Sequence, residues 1–370
     1  MEAPDLSSPG YWESETVDVR LNPRRPVDAA GLREFVEEEV GIRSAIVLAT
    51  SGSSGGAKFV VLPKRAVLAS ARAVNGHCGL TEDDIWLGGL STFHVGGIGI
   101  HARAICNGAR VVPTAWDAWT RDGAAFLEAV VRNRATLTSL TPAHVSDLVQ
   151  ARARCPGSLR GVFLGGGRIR SDLVADARGF GWPLWPTYGM SETASQVATA
   201  LDGDGTWLPV LPGWKTATAA DGRLSLRGAA LFAGYVVREG GGWAFEGAVD
   251  GDGWFTAGDC CELRGGELRF VARADGAVKV LGELVSLPAL NDRLAEFGIC
   301  GWIVALPDPR KESELVLVRE GSRGAGLAGF NEGLPPVERI GREVVVEELP
   351  RTDLGKPDRA GIEAVVSHGS

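Results

Sequence analysis

Between residues 45 and 190, short β-rich apolar runs alternate with stretches of helical periodicity. The apolar runs are Ala45–Ala49, Ile85–Leu90, Arg110–Pro113, Ala135–Leu140, Gly161–Leu164 and Leu184–Thr187. The helical stretches are Arg65–Val74, Ala124–Arg132, Pro142–Ala151 and Arg168–Ala177, the third opened by Thr141 as N-cap and Pro142 in the first turn. This rhythm predicts a mostly parallel sheet covered by helices. From about Trp207, glycine turns separate short strands at Arg223–Arg227, Gly242–Phe245, Trp254–Thr256, Cys260–Leu263 and Leu268–Val271, the pattern of a β-rich subdomain. After Arg273 a strand (Ala277–Leu281), a helix (Pro288–Phe297) and three strands (Gly301–Leu306, Glu314–Arg319, Glu343–Glu347) predict a small α/β domain. The expected fold class is therefore α/β. A large N-terminal domain over residues 1–272 has mostly parallel sheets and a β-rich subdomain, and a small C-terminal α/β domain covers residues 273–366.

Composition narrows the function classes. With 370 residues, 45% hydrophobic and 23% charged, the chain is long enough for two or three domains and too apolar for wholesale disorder. A formal net charge of −8 leaves no electrostatic footprint for nucleic acid. No apolar run approaches a membrane span, and the acidic start, MEAPDLSSPGYWESE, reads as neither a secretory signal nor a transit peptide. Six cysteines without a CxxC pair, and five histidines without HxxxH, argue against a zinc site and predict a reduced, cytoplasmic protein.

The first chemical signal follows the first run. Thr50, Ser51, Gly52, Ser53, Ser54, Gly55, Gly56 and Ala57 precede Lys58. Glycines let successive backbone N–H groups face one anion, hydroxyls add donors, and Lys58 adds charge, so the segment reads as a phosphate cradle. Gly52 to Lys58 has the Walker spacing, but Ala57 replaces the last glycine and Phe59 the metal-binding hydroxyl. Gly52–Gly56 also matches G-x-S-x-G, yet only one run precedes Ser54, and no late histidine suits a hydrolase triad.

Three further segments occur in order: W-P-T-Y-G-M-S-E-T at Trp185–Thr193, T-A-G-D at Thr256–Asp259 and L-P-R-T-D-L-G-K at Leu349–Lys356. With the glycine loop they resemble the signature segments of the adenylate-forming (acyl-CoA synthetase, AMP-binding) superfamily, across most of the chain. Within it, Thr187–Gln196 and Phe93–Gly97 look most like the o-succinylbenzoate–CoA ligases of menaquinone biosynthesis. The resemblance implies an acid–CoA ligase (AMP-forming) that uses ATP, Mg²⁺ and CoA on a small carboxylic acid, here an aromatic keto-acid. It also implies a mobile small domain. The chain is shorter than most members ahead of the loop, which implies a trimmed N-terminal lobe, and Asn291 stands where the small domain usually has Glu.

The same resemblance assigns roles. Lys356, between Gly355 and Pro357, binds the carboxylate and α-phosphate oxygens during adenylation. Glu192 holds Mg²⁺ against the phosphates, Ser191 donates to the α-phosphate, and Tyr188, beside Gly189, packs on adenine. Asp259 takes the ribose hydroxyls, Gly165, Gly166 and Gly167 let backbone approach the adenine, and Arg273 contacts ribose or phosphate. Asp275 is the hinge. His94 faces the acyl pocket, where Ser195 and Gln196 line the aromatic end. A second substrate carboxylate needs a counter-charge, for which Arg103 and Arg168 are both candidates. Another aryl- or acyl-CoA ligase is the alternative activity. A non-catalytic nucleotide-binding relic is the alternative of another class, against which stand both Glu192 and Lys356.

Overall fold

Five of the six alternating runs, with the unpredicted strand Ala198–Thr199, become a six-stranded sheet in the order Arg110–Pro113, Ile85–Gly88, Leu137–Leu140, Gly161–Leu164, Leu184–Tyr188, Ala198–Thr199, while the run at Ala45–Ala49 belongs to another sheet. The computed structural model describes residues 4–23, 27–50, 58–114, 119, 122–167, 169–274, 276–321, 326–350 and 359–368. The first five strands are parallel and the sixth is antiparallel. Helices Ala124–Asn133, Pro142–Gln150 and Ser171–Gly179 follow the predicted stretches. Thr141 caps the second of them, accepting from the His144 N–H at 3.4 Å. The sequence pattern did not show helix Val95–Asn107, because Gly96, Gly97 and Gly99 lower its helical propensity. Burial of Ile98, Ile100 and Ala102 against the rest of the fold outweighs that cost.

A second sheet runs Val17–Arg20, Ala45–Thr50, Lys58–Pro63, Gly234–Glu239, Gly242–Gly247. Thr50 and Lys58 are register partners in an antiparallel pair, so residues 51–57 join two strands of one hairpin. Walker loops and hydrolase elbows both lead from a strand into a helix, and this context removes both readings. Two strands precede the loop, not the single one legible in sequence, and Lys58–Pro63 comes before helix Lys64–Cys78.

The β-rich segment forms a third sheet, in the order Leu208–Pro209, Glu267–Arg273, Phe255–Arg264, Arg223–Arg227, Lys215–Thr218. Trp254–Thr256 and Cys260–Leu263, read as separate strands, fall on one ten-residue strand, Phe255–Arg264, with Trp254 just ahead of it. Within-chain contacts group the described residues up to Ala272 as one compact unit and those from Arg273 as another.

The second unit has a hairpin (Ala277–Val280 with Glu283–Ser286), a sheet of Trp302–Asp308, Glu312–Glu320 and Arg342–Val346, and helices Leu287–Glu296, Leu327–Glu332 and Arg359–His368. Leu287, Leu290 and Leu294 of the first helix pack with Ile303 and Leu317 of the sheet. Asn291 is buried there, donating to the carbonyls of Leu287 (2.9 Å) and Ile303 (3.0 Å) and accepting from the Ile303 N–H at 2.7 Å. It pins helix to strand through both backbone groups of one residue. Asn291→Ala strands that N–H and C=O in an apolar core and should cost about 2–3 kcal/mol. Chemical denaturation should show a lower midpoint with an unchanged slope, and an unchanged midpoint would remove this role from Asn291.

Candidate active site

Parallel strands deliver their C-terminal ends to one edge of a sheet, where ligands of open α/β folds bind. Ile85–Gly88 leads there to Ser91–His94, Gly161–Leu164 to Gly165–Gly167, and Leu184–Tyr188 to Gly189–Gln196. One local topology thus gathers three of the segments chosen from sequence.

Tyr188 ties this edge to the β-rich sheet. Its hydroxyl donates to Asp259 Oδ2 at 2.8 Å, with Tyr188 9% and Asp259 8% exposed. Burial, and then the Asp259 carboxylate, push the phenol well above its ordinary range, so the hydroxyl remains a proton donor to that carboxylate. Phe270 lies beside the phenol ring, the centroids 6.3 Å apart.

After Gly189 the chain makes a single tight turn over Ser191–Thr193, then Ala194 and Ser195 at φ +50° and +113°. Such backbone is sparsely populated for non-glycine residues and is held only where its surroundings dictate it. Here the Ser195 N–H donates to the Met190 carbonyl at 3.3 Å. The Ser195 carbonyl packs so closely on Gly189 that a Cβ there would lie 1.6 Å from the oxygen. No other residue type fits at Gly189.

The turn presents Glu192, half-buried, whose Oε1 accepts from the Tyr235 hydroxyl at 2.8 Å. The Lys58 ammonium stands 3.6 Å from the centre of the Tyr235 ring and 3.3 Å from Glu246 Oε2. A cation, an aromatic hydroxyl and a carboxylate therefore link the strand that leaves the glycine loop to the Glu192 turn. Tyr235 was not singled out from sequence, where only its place after Gly234 in a β-rich stretch marks it.

Arg103 is 2% exposed, within helix Val95–Asn107, its guanidinium carbon 5.0 Å from the ring centres of Trp86 and Phe163. Nη1 and Ser195 Oγ both lie within 3.4 Å of where a Cβ on Gly99 would stand. Its Nε has no hydrogen-bond acceptor, and no carboxylate bears on it among the described residues. Burial lowers its pKa to about 10, still protonated at neutral pH. Burial pushes the Cys78 thiol up to about 12, so it is neutral at neutral pH and brings Arg103 no counter-charge. Two more buried polar atoms without partners, Trp86 Nε1 and Ser139 Oγ, lie on the strands beneath, Ser139 being the register partner of Phe163. Neither was singled out from sequence.

Other candidates fall differently. His94 is exposed and caps helix Val95–Asn107 through its backbone alone. The Gln196 side chain is 5% exposed and its Oε1 accepts from the Thr199 hydroxyl at 2.6 Å, which turns that oxygen toward the sheet. Arg273 ends the strand Glu267–Arg273. Lys356, Asp275, Arg168 and Ser51, Gly52, Ser53, Ser54 and Gly55 lie outside the described residues, and Thr50 ends its strand. No three His, Cys, Asp or Glu side chains converge on a metal position among the described residues. Glu192 offers a single carboxylate, which suits a hard cation completed by phosphate oxygens and water.

The profile of the AMP-binding enzyme family matches residues 15–236. A 2-succinylbenzoate–CoA ligase of Bacillus mycoides (strain KBAB4) is 32% identical over 169 residues, 45% of this chain and 34% of that protein. The match thus spans about a third of the relative's length. Among solved structures, a double mutant of o-succinylbenzoate CoA synthetase from Bacillus subtilis, bound to its product analogue, superposes with a TM-score of 0.72 at 24% identity, covering 91% of this chain and 74% of the other. Amide bond synthetase McbA from Marinactinospora thermotolerans also gives 0.72, at 22% identity, covering 87% and 69%. The shared fold therefore includes proteins named for thioester and for amide formation.

Proposed function

Because the chain belongs to the AMP-binding enzyme family, we propose that it is an ATP-dependent acid–thiol ligase making the CoA thioester of 2-succinylbenzoate through an acyl-adenylate. A carboxylate is a poor electrophile, since a thiol attacking it would have to expel oxide. Its oxygen instead attacks the α-phosphorus of ATP and expels pyrophosphate. The CoA thiol then attacks the acyl carbon, gives up its proton and expels AMP.

Arg103 carries this reading. A fully buried guanidinium without a carboxylate partner is expensive, and an anion brought in by a ligand relieves the expense. A planar fork beside the Ser195 hydroxyl suits a carboxylate. The acid to be activated must present its reacting carboxylate to ATP, so the group at Arg103 is a second one. That favours an aromatic keto-acid with two carboxylates over a fatty acid. Of the two arginines the sequence left open, Arg103 lies among the described residues and has this environment.

The remaining roles follow. Tyr188 and Asp259 take adenine and ribose with Gly165–Gly167, and the loop Thr50–Gly55 with Lys58 and Ser191 takes the phosphates. Mg²⁺, held by Glu192 with phosphate oxygens and water, would neutralise phosphate charge. Tyr235 keeps that carboxylate aimed by its hydrogen bond. His94 and Ser195 face the acyl group. Lys356 and Arg273 come from a small domain over 273–366, which turns about Asp275 relative to 1–272 so that CoA can enter after adenylation. Six free cysteines suit a reducing compartment such as the cytoplasm.

A panel of acids scored by pyrophosphate release tests this. With CoA as acceptor, kcat/KM for 2-succinylbenzoate should exceed that for benzoate or octanoate by about 10³ or more, since a buried polar site rejects analogues that leave it unpaired. Comparable values would overturn the substrate assignment. Preference for an amine over CoA would overturn the thiol. No release with any acid would leave the nucleotide-binding relic.

A further inference from the structure

Strand Val17–Arg20 carries two buried charges, Asp18 at 4% and Arg20 at 8% exposed. Asp18 Oδ2 accepts from Arg20 Nε at 2.6 Å and from the Tyr11 hydroxyl at 2.7 Å. Lys64, wholly buried, donates to the Tyr11 carbonyl at 2.7 Å and to the Ser14 hydroxyl at 2.7 Å, with its ammonium 4.4 Å from the centre of the Tyr11 ring. Such a network is rigid because every displacement strands a buried charge. Arg20 spends its other two nitrogens outward: Nη2 donates to the Pro4 carbonyl at 2.9 Å, and Nη1 to Thr92 Oγ1 at 3.0 Å.

Thr92 sits two residues before His94. Its loop is closed by the His94 N–H donating to the Ser91 carbonyl at 3.3 Å, and leads into the first turn of helix Val95–Asn107, where Gly97 and Ile98 N–H donate to the His94 carbonyl at 3.1 and 3.2 Å. Thr92 adds to these bonds one from outside the loop, which limits where the residues after it can go. The anchor at Thr92 is a charge-assisted bond from a guanidinium whose other contacts are fixed.

We propose that Arg20 is a positioning residue for the acid-binding edge. Through Thr92 it fixes the loop that aims His94, so the N-terminal strand takes part in substrate recognition without touching substrate. This rests on the reading of His94 as facing the acyl group. Arg suits the task because its fork serves Asp18, Thr92 and Pro4 at once, which the single ammonium of Lys cannot do.

Thr92→Val removes the acceptor at nearly constant shape, and Thr92→Ser keeps it. In pyrophosphate release, Thr92→Val should raise KM for the acid about tenfold, the worth of one hydrogen bond to a charged group. KM for ATP should not change, and Thr92→Ser should stay within about twofold of the parent in both. Arg20→Lys, which also loosens the Asp18 and Pro4 contacts, should raise KM for the acid at least as far as Thr92→Val, and the double variant should be no worse than Arg20→Lys, where the Thr92 bond is already lost. Hydrogen exchange of the His94, Gly97 and Ile98 amides should quicken in Thr92→Val and not in Thr92→Ser. That readout needs no catalysis, so it decides the inference even if the parent protein releases no pyrophosphate and the ligase reading falls. It also decides if Arg20→Lys fails to fold. Unchanged exchange in Thr92→Val, equal rises in the two KM values, or additive losses in the double variant would each overturn the proposal.

Discussion

An Arg103→Met variant should lose the dianionic acid while unfolding at the same temperature as the parent or a higher one. The two halves of this expectation have one cause. Arg103 is a protonated group with no carboxylate partner among the described residues, held beside the stacked rings of Trp86 and Phe163. Replacing a buried charge by an apolar side chain of similar length is often neutral or stabilising, because no charge is desolvated on folding. The lost cation–π contacts work against this, but by less than a desolvated charge costs. Binding changes in the opposite direction. A second carboxylate entering the variant site would find no counter-charge, and losing one partner of a buried charged pair weakens binding by about 2–5 kcal/mol, so kcat/KM for 2-succinylbenzoate should fall by a factor of about 30 to 5,000. Benzoate, which lacks that group, should be handled as before or better. Steady-state kinetics with both acids and a thermal melt are sufficient. A drop in melting temperature with equal losses on both acids would make Arg103 a structural residue and the second carboxylate unsupported.

The environment of Arg103 could not be read from sequence, although the residue could be proposed. An arginine in V-G-G-I-G-I-H-A-R-A-I-C-N has too many glycines around it to look helical, so nothing indicated which side of a helix it would occupy. Strand Val17–Arg20 was missed for a related reason. V-D-V-R alternates like a half-exposed strand, yet Asp18 and Arg20 are both buried, because they satisfy each other. Periodicity detects apolar burial and does not detect paired charges. By contrast, Leu137–Leu140, Gly161–Leu164 and Leu184–Tyr188 were legible, since strands covered on both faces read as continuous apolar runs. The Tyr188–Asp259 bond joins positions 71 apart in sequence, and the Tyr235–Glu192 bond positions 43 apart. Such pairs belong to topology, and local pattern could only name their members separately. Asn291 shows the same limit: a Glu-to-Asn departure by family pattern is, in the fold, a helix-to-strand clamp.

Lys356→Ala should slow acyl-adenylate formation by about 10²–10³, the loss expected when one preorganised partner of transition-state charge is removed. Lys356 lies outside the described residues, so this expectation comes from L-P-R-T-D-L-G-K and the resemblance it carries. The chemistry makes the prediction asymmetric. In the first half-reaction a carboxylate approaches a triphosphate, two anions whose repulsion peaks as the α-phosphorus gains a fifth oxygen, and a positive charge there lowers the barrier. In the second, a thiol attacks a mixed anhydride whose leaving group, AMP, already departs easily. A cation at the α-phosphate then has little left to do, and the same lysine would stand where CoA has to enter. Thioester formation from supplied acyl-adenylate should therefore change by no more than a few-fold. Single-turnover measurement of each half-reaction separates the two cases. Equal losses in both would mean that Lys356 supports the fold or binds nucleotide throughout, and no loss in either would return the stabilisation of the α-phosphate to the Lys58 charge and the Ser191 hydroxyl.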